Sequence, residues 1–389
     1  MKPRQNEQES SVPLLILGGG CAGLSLAYRL ARSRRSPRTI IIEPRQTYSD
    51  DRTWCGWALT PHPFSDLVAA RWKSWWIHTD RGSQHVTGSP WPYEMLHSAA
   101  FYERTLAAID ASHEIALWRG QRVSALEDHT DGVQVTLESG QRIHARHVVD
   151  TLPRPERLVA PWAWQDFAGL EIEAEAIDDT SPPDLMDFRV ATRDQLDFIY
   201  RLPHAPGRAL FEWTRFGRPA SNPHTLRQAL IEHLDTRLPE GYRILREEMG
   251  SLPMAPPAAT SHGNRVVAGA YAGSMRAATG YAFHAIQRWA DDCNAALLAG
   301  KPPCPPRRRP WLERLDRVYM TAIGQHPDEA PEFYRQLFAR VPATSVVRFL
   351  AGVPHWRDTL AIMRSLPSGP FLRAAWHSTF PLPTQGDSS

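Results

Sequence analysis

The chain has 389 residues, of which 42% are hydrophobic and 22% charged, and its formal net charge is +2. This length predicts about two domains of ordinary globular composition, and the near-neutral charge argues against a nucleic-acid-binding protein. No run of about 18 apolar residues occurs, so we expect no membrane-spanning helix. The four cysteines form no C-x-x-C pair and the 16 histidines have no zinc-type spacing. We therefore expect no metal ion and a reducing cytoplasm.

The first predicted elements are a strand, a glycine-rich turn, a helix and a second strand. Residues 1–11 are polar and predict a flexible tail. Residues 12–17 form a short apolar strand, and residues 22–33 carry apolar side chains at helical spacing. Residues 39–42 are a second apolar strand that ends at Glu43. This order is typical of a unit that binds a dinucleotide.

The turn has the spacing G-x-G-x-x-G, at Gly18, Gly20 and Gly23. The first glycine permits a tight turn, the second lets the backbone approach a pyrophosphate, and the third lets the helix pack close to the strand. Glu43 stands 20 residues after Gly23, where a carboxylate accepts hydrogen bonds from ribose hydroxyls and disfavours a 2′-phosphate. The pattern predicts FAD or NAD rather than NADP. The alternative is a glycine-rich turn with a structural role only.

The rest of the chain mixes strands and helices and ends in helices. An aromatic-rich stretch occupies residues 61–95, and a linker rich in Pro and Arg occupies residues 301–310. The predicted strands are residues 123–126, 132–138, 141–145, 148–150, 169–177, 187–191, 198–202, 209–215 and 265–270. The predicted helices are residues 94–109, 223–238, 282–298, 311–324, 329–339, 343–351 and 356–365.

The glycine turn at the N-terminus, together with a late apolar strand that leads to Gly269 and Gly273, resembles FAD-dependent flavoproteins. The late segment lacks the Gly-Asp pair that many flavin hydroxylases have there. Domain bounds follow from this resemblance. They are an FAD-binding domain of residues 12–60, 94–155 and 255–300, a substrate-binding domain of residues 61–93 and 156–254, a C-terminal helical region of residues 305–370, and flexible tails at 1–11 and 376–389.

Five further segments, in the same order along the chain, resemble segments of the bacterial lycopene β-cyclases. They are Asp51-Arg52-Thr53-Trp54, FIYRLP at 198–203, LFEWT at 210–214, REEMGSLP at 246–253 and GSMRAATGY at 273–281. With the N-terminal turn, the resemblance covers about residues 13–365. It implies an α/β protein with a Rossmann-type FAD-binding domain of the flavoprotein hydroxylase kind, a β-sheet substrate domain and a C-terminal helical segment.

The resemblance also implies a reaction, in which the ends of a linear carotenoid such as lycopene close into β-rings. A proton adds to the terminal double bond, the carbocation cyclises, and a proton is lost. Reduced FAD is required, with NAD(P)H as its reductant, but there is no net redox change, so the enzyme is an isomerase by reaction class. Such chemistry needs an acid in an apolar cavity, electron-rich neighbours for the cation, and exclusion of water.

Glu212 is the candidate acid and base. It lies on an otherwise apolar strand, and alternation places its neighbours Phe211 and Trp213 on the opposite face. The alternative is a glutamate that faces solvent. The second acid of the family is replaced here by Trp213, and the family's His by Arg215, which removes one of two paired carboxylates. Asp51 is the second catalytic candidate, as an acid from the other side of the flavin.

The remaining candidate residues surround the cofactor. Trp54, Trp57 and Tyr281 are candidates to face the flavin or the cation, or else pack in the core. The cofactor-binding candidates are Gly18, Gly20, Gly23, Glu43, Arg52, Thr53, Trp54, Gly269, Gly273, Thr279 and Gly280.

An insoluble polyene has to be taken from a lipid bilayer, so we expect a peripheral protein on the inner face of the cell membrane. The C-terminal amphipathic helices and the segment Arg307-Arg308-Arg309-Pro310-Trp311 are candidates to contact anionic lipid. The alternative is a solvated linker with helices packed on the core. Two other functions stay open: an FAD-dependent monooxygenase or reductase of an apolar substrate, and a non-catalytic flavin-bound polyene carrier.

Overall fold

A computed structural model describes residues 10–154, 157–257 and 260–379. The strands are β1 (Ser10–Leu17), β2 (Thr39–Glu43), β3 (Thr53–Trp57), β4 (Ala70–Trp72), β5 (Trp75–Thr79), β6 (Gly82–Val86), β7 (Tyr93–His97), β8 (Ile115–Arg119), β9 (Val123–Asp128), β10 (Val133–Leu137), β11 (Arg142–Asp150), β12 (Ala163–Glu173), β13 (Asp184–Asp187), β14 (Leu196–Ala205), β15 (Arg208–Gly217), β16 (Arg243–Met254) and β17 (Arg265–Val267).

Long helices follow the N-terminal turn and dominate the C-terminal third of the chain. They are α1 (Cys21–Ala31), α2 (Ser98–Asp110), α3 (Pro223–Arg237), α4 (Phe283–Leu298), α5 (Pro310–Gln325), α6 (Ala330–Arg340), α7 (Ala343–Leu350), α8 (Trp356–Ser365) and α9 (Ser368–Thr379).

The first sheet has the strand order β8-β2-β1-β11-β10-β9, with β17 also paired to β11. Strands β8, β2, β1, β11 and β17 run parallel. Parallel strands are covered on both faces, which explains why β1 is a continuous apolar run. Leu14 and Ile16 pack against α1, α2 and α4, whereas Leu15 and Leu17 pack with side chains of β10 and β11.

The second sheet has the strand order β16-β12-β15-β14-β13-β5-β6. Side chains that alternate along β15 enter two different cores. Phe211 packs with Leu230 and Leu234 of α3, whereas Leu210 belongs to the core shared with the C-terminal helices. The sheet therefore carries α3 on one face and α5–α7 with its own aromatic side chains on the other. A small third sheet, β3-β7-β4, lies between the two.

Sequence periodicity misassigned several segments where tertiary pairing decides the backbone. The predicted helix at 94–109 begins too early, because β7 pairs with β3 and β4 and α2 begins only at Ser98. The predicted strand at 187–191 is wrong, since a 3-10 turn capped by Asp187 occupies Phe188–Val190. The predicted strands 141–145 and 148–150 are the single strand β11. Strand β16 was not predicted.

The predicted flexible tails, 1–11 and 376–389, each include residues that belong to regular secondary structure. Strand β1 begins at Ser10, where its backbone is in register with Ile143 of β11. Helix α9 continues to Thr379. The other residues of both tails, 1–9 and 380–389, lie outside the described residues. The division into domains stays a prediction.

Among the helices of the described part of the chain, none is both long and apolar enough to cross a membrane.

The packing of α3 on the second sheet gives a stability prediction. Leu230 is completely buried between α3 and the sheet. We expect Leu230→Ala to lower the free energy of unfolding by about 2–5 kcal/mol, because it removes apolar contacts and leaves a cavity. Urea unfolding followed by circular dichroism measures this loss. The matched control is the exposed Gln228→Ala on the same helix, and an equal effect of both changes would contradict the packing described.

Candidate active site

The glycine turn between β1 and α1 has the geometry that binding a pyrophosphate requires. Gly18 has a φ of +95°, and a Cβ there would lie 2.7 Å from Thr151 Oγ1. A Cβ on Gly23 would lie 2.0 Å from the Gly18 carbonyl oxygen, so only glycine lets the helix approach the turn. A Cβ on Gly20 would meet nothing within 4 Å, which leaves open space beside the N-terminus of α1. No acidic residue lies in the first turn of α1, so its amide groups favour an anion.

Glu43 lies at the end of β2 and is bound to the turn itself. Its Oε2 accepts a hydrogen bond of 2.7 Å from the Gly19 backbone N–H, and its Oε1 accepts one of 2.8 Å from Arg45 Nε. Tyr48 and Arg45 also donate to the Gly19 carbonyl oxygen. Sequence reasoning missed both of these residues, although they follow Glu43 closely. Contact of Glu43 with a ribose stays a prediction.

A cavity of about 450 Å³ extends from the glycine turn to the second sheet. Of the residues predicted to surround the cofactor, most line this cavity, including Gly20, Arg52, Thr53, Trp54, Gly269, Thr279 and Gly280. Gly18, Gly23 and Glu43 do not line the cavity but determine the backbone conformation of the turn. Gly273 lies away from the cavity, since a Cβ there would face side-chain atoms of Arg308 and Pro257 at 3.5 Å.

Aromatic side chains form much of the cavity wall. Trp54 stacks on Phe283 with 5.5 Å between ring centroids, and Tyr93, Tyr200 and Tyr281 lie farther along the wall. Burial raises the pKa of all three phenols, so they stay neutral. Trp57 is buried behind this wall against Tyr93 and Tyr281, with packing as its contribution.

Glu212 of β15 lines the cavity on the same face of the sheet as Leu210. Its small exposed area faces the cavity, so the alternative of a solvent-facing glutamate is not what the structure has. Thr214 Oγ1 donates a hydrogen bond of 3.1 Å to Glu212 Oε1. Desolvation, followed by the charge of Glu248, raises the pKa of Glu212 to about 8. The carboxyl group therefore holds a proton at neutral pH.

Glu248 is the carboxylate that faces Glu212, and sequence reasoning gave it no role. Strand β12 lies between β15 and β16, and its Gly169 is in register with both Glu212 and Glu248. A Cβ on Gly169 would lie 2.9 Å from Glu248 Cγ. The missing side chain leaves room for the two glutamates to approach across the strand. Arg246 donates a hydrogen bond of 3.0 Å to Glu248 Oε2.

Trp213 and Arg215, which replace residues of the family's motif, do not lie on the cavity face of the sheet. Trp213 is adjacent to Glu212 on the strand and therefore points to the opposite face, where it packs near α3. Trp213 Nε1 and Arg215 both donate to the buried Asp197. A carboxylate that acts on Glu212 is nevertheless present, since Glu248 faces it across Gly169.

Asp51 lines the cavity near the glycine turn. It accepts a hydrogen bond of 3.1 Å from the Tyr102 hydroxyl and lies 3.6 Å from Arg45. Of the groups whose charges act on Glu212, Glu248, Arg246 and Arg52 are the strongest. Asp51 is not one of them, and its catalytic role stays a prediction.

Two clusters of histidine and glutamate were not visible in the sequence, because their members lie far apart along the chain. They are His62–Glu94–His284 and His97–Glu171–His204. In each cluster an arginine, Arg71 or Arg246, already pairs with the carboxylate. His62 Nδ1 also accepts the Phe64 N–H, which leaves the Nε2 proton in place for Glu94. Within the described residues, Nδ1 of His97 and Nε2 of His204 and His284 are buried without a hydrogen-bond partner.

The fold and the glycine turn define an α/β protein of the flavoprotein hydroxylase class. A flavoprotein/dehydrogenase from Cytophaga hutchinsonii has a similar structure, with a TM-score of 0.60 and 11% identity over 95% of this chain and 99% of that one. The p-nitrophenol 4-monooxygenase PnpA from Pseudomonas putida DLL-E4 is also similar, with a TM-score of 0.56 and 14% identity over 94% and 98% of the two chains. At these identities the likeness shows the fold alone.

Within that class, the chain belongs to the lycopene cyclase family, whose model (lycopene cyclase protein) matches residues 13–376. It is 28% identical over 383 residues to a lycopene beta-cyclase of Paracoccus sp. strain N81106, which covers 92% of this chain and 94% of that protein. It is 24% identical over 386 residues to a lycopene beta-cyclase of Pantoea ananas, which covers 93% and 96%. The family resemblance of the sequence motifs is thereby confirmed.

Two alanine substitutions in the glycine turn should have different effects. We expect Gly23→Ala to lower the melting temperature, because its Cβ collides with the Gly18 carbonyl. We expect Gly20→Ala to keep the melting temperature and to weaken dinucleotide binding about tenfold or more, since its Cβ fills only the space open for phosphates. Thermal unfolding and fluorescence titration with FAD measure the two properties. Unchanged binding by Gly20→Ala would show that the turn is structural only.

Proposed function

We propose that the protein is an FAD-dependent cyclase that closes the ends of a linear carotenoid, with lycopene as the model substrate, into β-rings. The observation that supports this most directly is the position of Glu212 in the wall of a largely apolar cavity, where desolvation raises the pKa of its carboxyl group to about 8. An acid of this kind, shielded from bulk water, suits protonation of a carbon–carbon double bond. The names of the relatives support the same substrate class.

The protein's own residues meet the requirements of a carbocation reaction. Glu212 gives its proton to the terminal double bond and, as a carboxylate, is in place to take up the proton that the cyclised cation releases. The π faces of Tyr93, Tyr200 and Tyr281 stabilise positive charge, because their neutral rings have electron-rich faces. Packing of Trp57 behind two of these rings helps to exclude water, which would otherwise capture the cation.

The cofactor cradle fits the ADP part of FAD. The open space at Gly20 and the unopposed N-terminus of α1 suit the pyrophosphate, and Arg45 adds positive charge beside the turn. Reduced FAD, regenerated by NAD(P)H, would supply an electron-rich ring system to the cavity. Trp54, Thr279 and Gly280 are the residues we propose to contact that ring system.

The central test is Glu212→Gln, which keeps the size of the side chain and removes the acid. In cells that accumulate lycopene, we expect the wild type to produce cyclic carotenoids of unchanged mass and Glu212→Gln to lose at least about a hundredfold in rate. The matched control is Glu247→Gln, since Glu247 lies on the outer surface and pairs with Arg227. Pigment chromatography with mass spectrometry measures the product. Normal turnover by Glu212→Gln would remove Glu212 from the mechanism.

The same assay distinguishes the other two functions. A product heavier by one oxygen would indicate the monooxygenase, whereas polyene that binds and is returned unchanged would indicate the carrier.

The pKa of Glu212 fixes the pH dependence. Because the acid form is active and its pKa is raised to about 8, activity should be present below that pH and be lost as the pH rises through it. The pH–rate profile of purified, FAD-loaded protein with solubilised lycopene measures this limb. A profile whose alkaline limb lies near the ordinary pKa of glutamate would contradict the assignment of Glu212 as the acid.

We also propose that a face formed by α8 and α9 contacts an anionic lipid bilayer. Trp356, Leu360 and Met363 form an apolar stripe along α8, and Leu372 of α9 is exposed beside it, with Trp356 and Leu372 at 70% and 69% exposure. Arg357, Arg364 and Arg373 are exposed on the same two helices. The sequence 356–379 contains one carboxylate, Asp358, which is buried and paired with Arg348. Apolar and cationic side chains without exposed acids favour such a surface.

An apolar cavity of about 270 Å³ opens between these helices. Met363 and Leu372 lie at its edge, and Thr279 lines both this cavity and the one that contains Glu212. A bilayer on the α8–α9 face would therefore place lipid next to a path toward the proposed active site.

Flotation with vesicles that contain phosphatidylglycerol tests the bilayer contact. We expect the double change Trp356→Ser and Leu372→Ser to weaken vesicle binding at least about tenfold, because two apolar side chains no longer insert. The control is Arg307→Gln in the predicted basic segment, where Arg307 is 3.1 Å from Asp292 and Arg308 pairs with Glu313. Stronger loss in the control would place the contact at residues 307–311 instead.

A further inference from the structure

Glu248, the carboxylate that faces Glu212 across Gly169, belongs to a group of charged residues that have no role in the proposed reaction. Glu248 is 4% exposed and does not line the cavity, so it does not touch a substrate there. It faces Glu212 across Gly169, whose missing side chain leaves the space between them. A buried carboxylate needs a compensating charge, and Arg246 supplies it at 3.0 Å from Glu248.

Arg246 is fixed in place by four partners at once. Its guanidinium group contacts Glu248 and Glu171 at 3.0 Å, Thr53 Oγ1 at 2.6 Å and Asp50 at 3.4 Å. His97 and His204 lie on the far side of Asp50 and Glu171. Desolvation opposes ionisation of Asp50 and Glu171, but hydrogen bonds and nearby positive charges outweigh it and lower the pKa of both to about 2, so these two groups remain anions that orient the arginine.

We propose that Glu248 and Arg246 are positioning residues that assign the proton of the glutamate pair to Glu212. Arg246 forms an ion pair with Glu248. That anion, close to Glu212 in a site shielded from water, disfavours a second negative charge and so keeps Glu212 protonated. Glu212 has a hydroxyl donor, Thr214, as its hydrogen-bond partner rather than a guanidinium.

The asymmetry of the pair follows from where its neighbours stand. Glu248 accepts a hydrogen bond from the cation Arg246. Glu212 accepts its hydrogen bond from the neutral Thr214, and Arg246 and Arg52 act on it only through their charges. The groups that face Glu212 or act on it from the adjoining elements are Arg52, Cys55 of β3, Tyr200 of β14, Thr214 of β15, and Arg246 and Glu248 of β16.

The proposal rests on the proposed function for the use of the proton, but its test does not. Infrared spectroscopy of the FAD-loaded protein detects the C=O stretch of a protonated carboxyl group directly. We expect a band that titrates near pH 8 in the wild type and is absent in Glu212→Gln. Glu248→Gln removes the neighbouring anion, so its midpoint should fall by about one pH unit or more. The exposed Glu247→Gln on the same strand should leave the midpoint unchanged.

Arginine variants separate electrostatics from packing. Arg246→Gln removes a cation that favours ionisation of the pair, so the midpoint should rise, opposite to Glu248→Gln. Arg246→Lys keeps the charge and should return the midpoint toward the wild type. A merely structural role would not produce shifts of opposite sign. If Arg246→Gln does not fold, the fall in midpoint of Glu248→Gln against the Glu247→Gln control still tests the effect of the neighbouring charge.

The alkaline limb of the cyclisation profile should move with the infrared midpoint in each variant. Absence of the band in the wild type at pH 7, or an unchanged midpoint in Glu248→Gln, would overturn the proposal whatever the activity. The expected shifts together with no cyclic product would instead reject the proposed function and leave the assignment of the proton intact.

Discussion

Strand β12, which lies between β15 and β16, has no side chain at the one position where these two neighbouring strands both carry a glutamate. That position, Gly169, lets Glu212 and Glu248 approach in a region shielded from water, where ionisation of both carboxyl groups is energetically unfavourable. One of the two carboxyl groups must keep its proton. The site's chemistry follows from this packing constraint, since a persistent acid in an apolar wall is what protonation of a hydrocarbon requires.

The distribution of cations decides which glutamate is the acid. Arg246 pairs directly with Glu248 and is anchored by Asp50 and Glu171. Glu212 accepts a hydrogen bond from the buried Thr214 hydroxyl, and Arg52 and neutral phenols line the cavity wall with it. The ion pairs of Arg246 with Glu171 and Glu248 lie on the same face of the sheet as Glu212, whereas Tyr93, Tyr200 and Tyr281 line the cavity where a carbocation would form.

The sequence predicted those parts of the site that depend on local geometry. The glycine spacing implied the turn, and the collision of a Cβ on Gly23 with the Gly18 carbonyl follows from it, whereas the collision at Gly18 is with Thr151, which is distant in the chain. Alternation along β15 correctly put Glu212 opposite Phe211. Glu248 could not be assigned in the same way, because its position opposite Glu212 depends on the register of two strand pairs that are separated by long stretches of chain. Strand β16 was also missed, since charged residues interrupt its apolar pattern.

Trp213 shows that adjacent positions of a sequence motif need not lie in the same site. Adjacent residues on a strand point to opposite faces, so a carboxylate at position 213 would lie near Asp197 and α3 rather than beside Glu212. In this chain Trp213 and Arg215 satisfy Asp197 from that outer face, where Arg215 also neutralises its charge. The face with Glu212 is unchanged by either substitution. What the active face needs is instead a small residue at position 169 and a carboxylate at position 248. The site therefore depends on glycine at position 169 as well as on Glu212, because a Cβ at position 169 would collide with the Glu248 side chain.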